Sequence, residues 1–256
     1  MPEPSAPEMS AHQGAPPLEG PRMGATGRIL GVLISPAKTF ADVARFPSWL
    51  APLVLLSLLS LGFSCVLNQR VDWPGYLRTR AERRASFTLL SEAEKQRELQ
   101  TLVQYVPLLV YATAVPGPPA AALFLAVFYM VAFNALAGIG VTFKQAFGIA
   151  AHALCMGVVS FPLGALAMWL REPGRVTPEN VLPLKVGVLL SSDAPAWLRT
   201  LGGSLDIFVL WLLALVAIGF SAVNKQKAPA AKAVAIVFGL WALWVLIKMG
   251  GATLFA

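Results

Sequence analysis

Residues 206–223 read Asp206-Ile-Phe-Val-Leu-Trp-Leu-Leu-Ala-Leu-Val-Ala-Ile-Gly-Phe-Ser-Ala-Val223. After Asp206 the stretch holds no charge and no proline for 17 residues. A helix rises ~1.5 Å per residue, so it covers most of a ~30 Å hydrocarbon core. The next charges are Lys225 and Lys227. The stretch reads as a membrane span with a polar stop at each end, and the rest of the chain reads as four more spans and their connections.

Composition agrees. Of 256 residues, 57% are hydrophobic and 13% charged, and mean hydropathy is +0.67. Soluble domains carry about 25% charge. The chain is therefore expected to be an all-α, polytopic membrane bundle of five transmembrane helices with short interfacial helices. Its net charge of +7 sits mainly between apolar runs. The expected partner is thus the lipid bilayer and its anionic headgroups, not nucleic acid. Cys65 and Cys155 both fall inside expected spans and read as small buried residues, not a disulfide framework.

Residues 1–27 hold six prolines and no apolar core. They read as a disordered tail and not as a signal peptide. The membrane domain then occupies 28–256. Ser35 and Pro36 suit the start of a helix, with Ser35 as N-cap. Phe40, Val43 and Ala44 share its face, and Pro47 ends it, so a helix in the membrane interface is expected at 36–46. The five spans are expected at 49–67, 119–136, 146–170, 206–223 and 231–249.

The connection 68–104 is the most charged part of the chain. Ser91-Glu-Ala-Glu94 forms a capping box, so a helix starts there and runs toward Tyr105. Arg78, Arg80, Arg83 and Arg84 are candidate headgroup-binding residues, against the plainer reading of a solvated helix face. Residues 106–138 carry no charge for 33 positions, interrupted by Pro116-Gly-Pro-Pro119. The part before the prolines is either an interfacial segment or half of a broken helix. A broken helix frees backbone carbonyls and can mark a transport site.

Gly138-Ile-Gly-Val-Thr-Phe-Lys-Gln145 reads as a tight polar turn that offers Lys144 and Gln145 as candidate polar residues. In the span that follows, His152, Cys155 and Met156 recur at i, i+3 and i+4. One imidazole, one thiol and one thioether make a weak soft-metal signal, and no metal or other cofactor is expected. Asn134 and Asp206 complete the set of candidate polar residues. In the last span Ala231, Ala235 and Gly239 form a small-residue strip, and Ala217 and Ser221 of the preceding span could face it. Residues 176–204 read as a mixed loop in which Ala196-Trp-Leu-Arg-Thr-Leu201 is one amphipathic turn or two at the interface.

Three stretches resemble the Yip family of Ypt/Rab-interacting five-span proteins and its bacterial relatives. They are Ile34-Ser-Pro-Ala-Lys-Thr-Phe40 with Pro47-Ser-Trp-Leu-Ala-Pro52, then residues 138–145, then residues 205–219. The resemblance runs from about residue 28 to 249. It implies five spans and a cytoplasmic N-terminus. The count of cations leans the other way, with eight of 20 on the N-terminal side and 12 opposite; the expectation follows the resemblance. Eukaryotic members act in vesicle traffic with Rab GTPases through a long, aromatic-rich N-terminal region. This chain lacks that region and is more similar to the bacterial branch. Small-GTPase binding is therefore not expected, and the bacterial cytoplasmic membrane is the expected location.

Three function classes compete. The first is a non-enzymatic membrane protein that organises protein partners, itself or the bilayer. The second is a small transporter or channel lined by the Pro116 break, Asn134, His152 and Asp206. The third is an intramembrane enzyme. The sequence has neither His-Glu-x-x-His nor a pair of in-span aspartates, so no catalytic residue is expected. The first class is the expectation.

Overall fold

The structure is a computed structural model that describes residues 23–172, 174–182, 184–191 and 194–254. Among these residues the chain forms α-helices and short 3-10 turns, with two isolated β-bridges and no strand. The order is α1 (Ala25–Ile34), α2 (Pro36–Arg45), α3 (Leu50–Arg70), α4 (Trp73–Glu82), α5 (Ala85–Thr88), α6 (Glu92–Ala114), α7 (Gly117–Ala137), α8 (Phe143–Ala153), α9 (Gly157–Trp169), α10 (Ala196–Ser204), α11 (Ile207–Val223) and α12 (Ala230–Leu254). Four helical stretches are long and apolar enough to cross a bilayer: Leu50–Arg70, Gly117–Ala137, Phe143–Trp169 and Ala230–Thr253. Ile207–Val223 is apolar but shorter. The molecule is a multi-pass helical membrane protein.

Several boundaries differ from the sequence reading, each for a local reason. Residues 1–22 of the expected tail lie outside the described residues, but helix begins at Ala25, inside the stretch read as tail. Ser35 stands at the N-cap of α2, yet its hydroxyl caps nothing. It is also the C-cap of α1, with its N–H on Gly31 O, so the backbone is bent to join two helices back to back. Its carbonyl accepts from the Thr39 N–H at 3.1 Å and from Thr39 Oγ1 at 3.1 Å.

α2 lays one face on the bundle and leaves Ala37, Lys38 and Arg45 exposed on the other. Thr39, Phe40, Val43 and Ala44 are buried, and α2 packs on α8 and α11.

The helix that starts at Ser91 does not stop near Tyr105. It continues through Pro107 to Ala114, because Leu102, Val103, Val106 and Val110 pack on a cluster with Trp73, Leu77 and Met168. Residues 106–114 are therefore the second half of α6, a helix broken from α7 at Val115 and Pro116. Asn68 Nδ2 donates to Pro107 O at 3.2 Å and Ser57 Oγ to Val115 O at 2.8 Å, so this half runs antiparallel along α3. α7 starts at Gly117, earlier than expected, because prolines are tolerated in a first turn whose N–H groups have no helical acceptor.

The helix after the 138–142 turn starts at Phe143. Thr142 and Gln145 form a capping box there that the reading as a plain polar turn missed. α12 runs to Leu254, five residues past the expected end. Its strip of Ala231, Ala235 and Gly239 is exposed, and α12 meets the bundle through Ala233, Ile236 and Val237 instead. Ala217 and Ser221 are buried in the bundle core and do not pair with that strip.

α3 runs parallel to α9, which continues α8 after a 3-10 turn at Leu154–Met156. A Cβ on Gly157 would stand 2.8 Å from Leu56 Cδ2, and one on Gly164 would stand 2.8 Å from Phe63 Cε2. Glycines seven residues apart thus receive side chains seven apart. In the main core Phe133 stacks on Phe220, with ring centroids 4.7 Å apart. Phe40 and Ile149 close over Gly219, where a Cβ would lie 2.4 Å from Ile149 Cγ2 and 3.1 Å from Phe40 Cδ1.

Gly219→Ala therefore forces overpacking where α2, α8 and α11 meet, at a cost of about 1–3 kcal/mol. The expected result is a lower midpoint of heat-induced unfolding in detergent. Gly62→Ala, whose Cβ would meet open space, should leave that midpoint unchanged or raised.

Candidate functional site

The polar centre of the molecule is one that the sequence reading passed over. Arg28 opens α1 and is 2% exposed. Its Nε donates to Asp42 Oδ2 at 2.6 Å, and Nη1 donates to Phe46 O at 2.8 Å and Ser48 Oγ at 2.6 Å. Nη2 makes an ion-pair contact with the same Asp42 oxygen at 2.6 Å but has no hydrogen-bond partner of its own. The cluster ties α1 to α2 and to the turn that starts α3. A signal was present: Asp42 is the only acidic residue between Glu19 and Asp72. A single carboxylate among apolar residues needs a cation, and Arg28 heads the apolar run just before it.

The candidate polar residues divide between the two ends of the bundle. Asn134 Nδ2 donates to Val141 O at 3.0 Å and its Oδ1 accepts from the Val141 N–H at 2.8 Å, which closes the α7–α8 turn. Gln145 Nε2 donates to Ala44 O at 3.0 Å, so the α8 cap also receives the end of α2. Lys144 is exposed beside it. Lys227, on the α11–α12 turn, donates to Gly138 O at 2.9 Å and joins the same end.

His152 is buried further along α8, with Nδ1 2.8 Å from Gly148 O and its ring in the opposed fields of Arg28 and Asp42. It is not assembled with Cys155 and Met156 into a ligand set. Cys155 is buried with Sγ on Ala151 O, and the 3-10 turn sends Met156 toward a small cavity beside Leu56, Gly117 and Ser160. Asp206 stands at the opposite end of α11 as its N-cap, accepting from Phe208 N–H at 2.8 Å and Val209 N–H at 3.4 Å.

The four arginines on and after α4 are not a free cationic patch. Arg80 Nη1 pairs with Glu179 at 2.5 Å and donates to the Tyr76 hydroxyl at 3.0 Å. Arg84 pairs with Glu98. Arg78 and Arg83 are exposed. Arg80, Arg83, Tyr76, Asp72 and Glu179 border a cavity of about 520 Å³. Burial pushes the Glu179 carboxyl up. Hydrogen bonds from Tyr76, its own N–H and Thr177, with the charge of Arg80, still hold it below the ordinary carboxylate range. Burial and Glu179 together raise the Tyr76 phenol.

Arg70, the last residue of α3, caps the end of α9, donating to Met168 O at 3.1 Å and Trp169 O at 2.8 Å, with its guanidinium over the Trp169 ring.

The arrangement thus has a buried ionic clamp, side chains that bond to backbone at helix breaks and turns, and a surface of paired charges on α4–α6. Among the described residues no three His, Cys, Asp or Glu side chains group as metal ligands. A family model described as the Yip1 domain matches residues 30–251. No curated protein and no solved structure matches the chain.

Two outcomes follow. Asp42→Ala leaves a buried guanidinium without its carboxylate, a change that costs about 3–5 kcal/mol in buried pairs. It should lower the unfolding midpoint in detergent far more than the paired replacement Arg28→Met with Asp42→Leu. The second concerns Glu179, whose folded pKa is depressed. Its stabilising contact is present above the ordinary carboxylate pKa and is lost as pH falls through the folded value. Acidification should speed hydrogen exchange of α4 amides, after correction for intrinsic rates, and Glu179→Gln should abolish that pH dependence.

Proposed function

We propose, from the premise that this chain belongs to the Yip1 domain family, that it works without catalysis as an integral membrane protein that holds protein partners or organises the bilayer. The observation that carries this reading is where the polar groups are spent. Asn134, His152 and Asp206 each bond to backbone of their own or the adjoining turn. Ser57 takes the carbonyl at the α6–α7 break, so that carbonyl is not offered to a cavity. Each of these bonds serves the protein's own backbone, at a helix end, a turn or a break.

Five crossings are proposed: α3, the second half of α6 with α7, α8 with α9, α11, and α12. The proposed location is a bacterial cytoplasmic membrane with the N-terminus in the cytoplasm. That orientation is the one the family resemblance implies, and it puts Lys144, Lys225 and Lys227 of the α7–α8 and α11–α12 turns on the cytoplasmic side. The α4–α6 surface, with exposed Arg78 and Arg83 beside Glu82, is the face proposed to meet a partner or anionic headgroups.

Crosslinking in intact membranes with mass spectrometry tests this. The expected outcome is a reproducible stoichiometric partner whose crosslinks map to residues 78–98. Movement of an ion by the purified protein in liposomes, abolished by Asp206→Ala, would replace this reading with a transporter.

A further inference from the structure

α11 and α12 are joined by the turn at 224–229 and pack along each other. α11 has 17 residues and α12 has 25. At ~1.5 Å per residue these are ~25 Å and ~37 Å, so α12 outruns its neighbour by ~12 Å. A ~30 Å hydrocarbon core is longer than α11. Something apolar has to complete the bundle beside the exposed end of α12.

That position is occupied. α10 packs on α12, and Lys248 Nζ donates to Ser204 Oγ at 2.8 Å, which sets the end of α10 beside the last turns of α12. The 3-10 turn Val186–Leu189 crosses α10 at two glycines: a Cβ on Gly202 would stand 2.8 Å from Gly187 Cα, so backbone touches backbone. The Val186 N–H donates to Leu205 O at 3.0 Å, and the backbones of residues 185 and 206 pair in an isolated antiparallel β-bridge. Two short elements are thus locked together and to the start of α11.

Their outer side is apolar. Leu189 is 86% exposed and Val188 58%, and Leu184, Val186 and Trp197 are also exposed. At the same end of the helices, Ile207 and Val209 on α11 and Leu246 and Ile247 on α12 are exposed as well. Lys185 and Arg199 stand among these residues, where long aliphatic stems let a cation reach headgroups from an apolar bed. A tryptophan on such a surface suits the interface.

We propose that residues 184–190 and 196–204 form a membrane-embedded cap, seated in the acyl–headgroup boundary and completing the short crossing of α11. The occupant of its outer surface is lipid.

Spin labels test this on the full chain in phosphatidylethanolamine–phosphatidylglycerol vesicles. Single labels are placed by Val188→Cys and Leu189→Cys in a Cys65→Ser, Cys155→Ala background. Arg175→Cys, at a side chain 79% exposed, serves as the water reference and Leu246→Cys as the lipid reference. The ratio of oxygen to nickel-chelate accessibility at 188 and 189 should be several-fold above that at 175 and close to that at 246. A ratio equal to that at 175 overturns the cap. So does shielding from both reagents, which would mean a protein occupant. A second measurement needs no substitution. Trypsin cuts after Lys185 and Arg199, and a diazirine carried on lipid acyl chains should label peptide 186–199 and spare peptide 85–95. Equal absence of label in both peptides overturns the proposal in the unmodified protein.

Discussion

A guanidinium removed from water must be neutralised where it lies, and the rest of this bundle is built on how Arg28 is neutralised. Asp42 supplies the charge, while Phe46 O and Ser48 Oγ take further donors. The carboxylate sits on α2 and the other acceptors on the turn that starts α3, so one side chain fixes three segments. With α1 and α2 held as a hairpin, Phe40 is driven over Gly219 and against Ile149. That contact sets how closely α8 and α11 approach. Loss of the carboxylate would therefore be felt far from the ion pair, through helices that carry no charge at that depth.

The second constraint is the bilayer itself, which offers no water to a free N–H or carbonyl. The chain departs from straight helix at several points and supplies a side-chain partner at three of them. Ser57 answers the break at Val115, Asn134 the turn at Val141, and Arg70 the end of α9. These side chains look functional when read as isolated polar residues in apolar sequence. Their geometry makes them repairs to the backbone, and this is why the partner-holding reading is preferred to transport.

The sequence made the architecture legible because apolar runs near twenty residues have few alternatives. The resemblance carried by residues 34–52, 138–145 and 205–219 led to the family that the match over residues 30–251 establishes. Capping chemistry was readable where it is purely local, as at Ser91–Glu94. It failed at Ser35, where one residue has to end α1 and begin α2. What could not be read was partnership between distant residues. Nothing local says that Arg28 will find Asp42, or that Arg70 will find the carbonyls of Met168 and Trp169. The length of α6 was also hidden. Pro107 argues for a stop, and only the apolar cluster around Trp73 and Met168 overrides it.

The two ends of the molecule differ in how firmly they are held, and this bears on what the protein can do. At one end, buried contacts join α1, α2, α7, α8 and α11: the Arg28–Asp42 pair, the Gln145 bond to Ala44 and the Asn134 bonds to Val141. At the other, α4 and α6 share the apolar cluster of Trp73, Leu77, Leu102 and Val106, and the ion pairs around them are ones that water reaches: Arg80 with Glu179, Arg84 with Glu98, and Lys95 with Glu92 inside α6. Exposed ion pairs contribute about 0–1 kcal/mol and exchange readily for other charged partners. Local opening is drawn from regions held by such contacts. A partner that brings its own carboxylates or phosphates can therefore displace Glu179 or Glu98 at little cost, while the clamped end keeps the bundle in register. A rigid frame with a re-pairable charged surface is what a membrane scaffold requires.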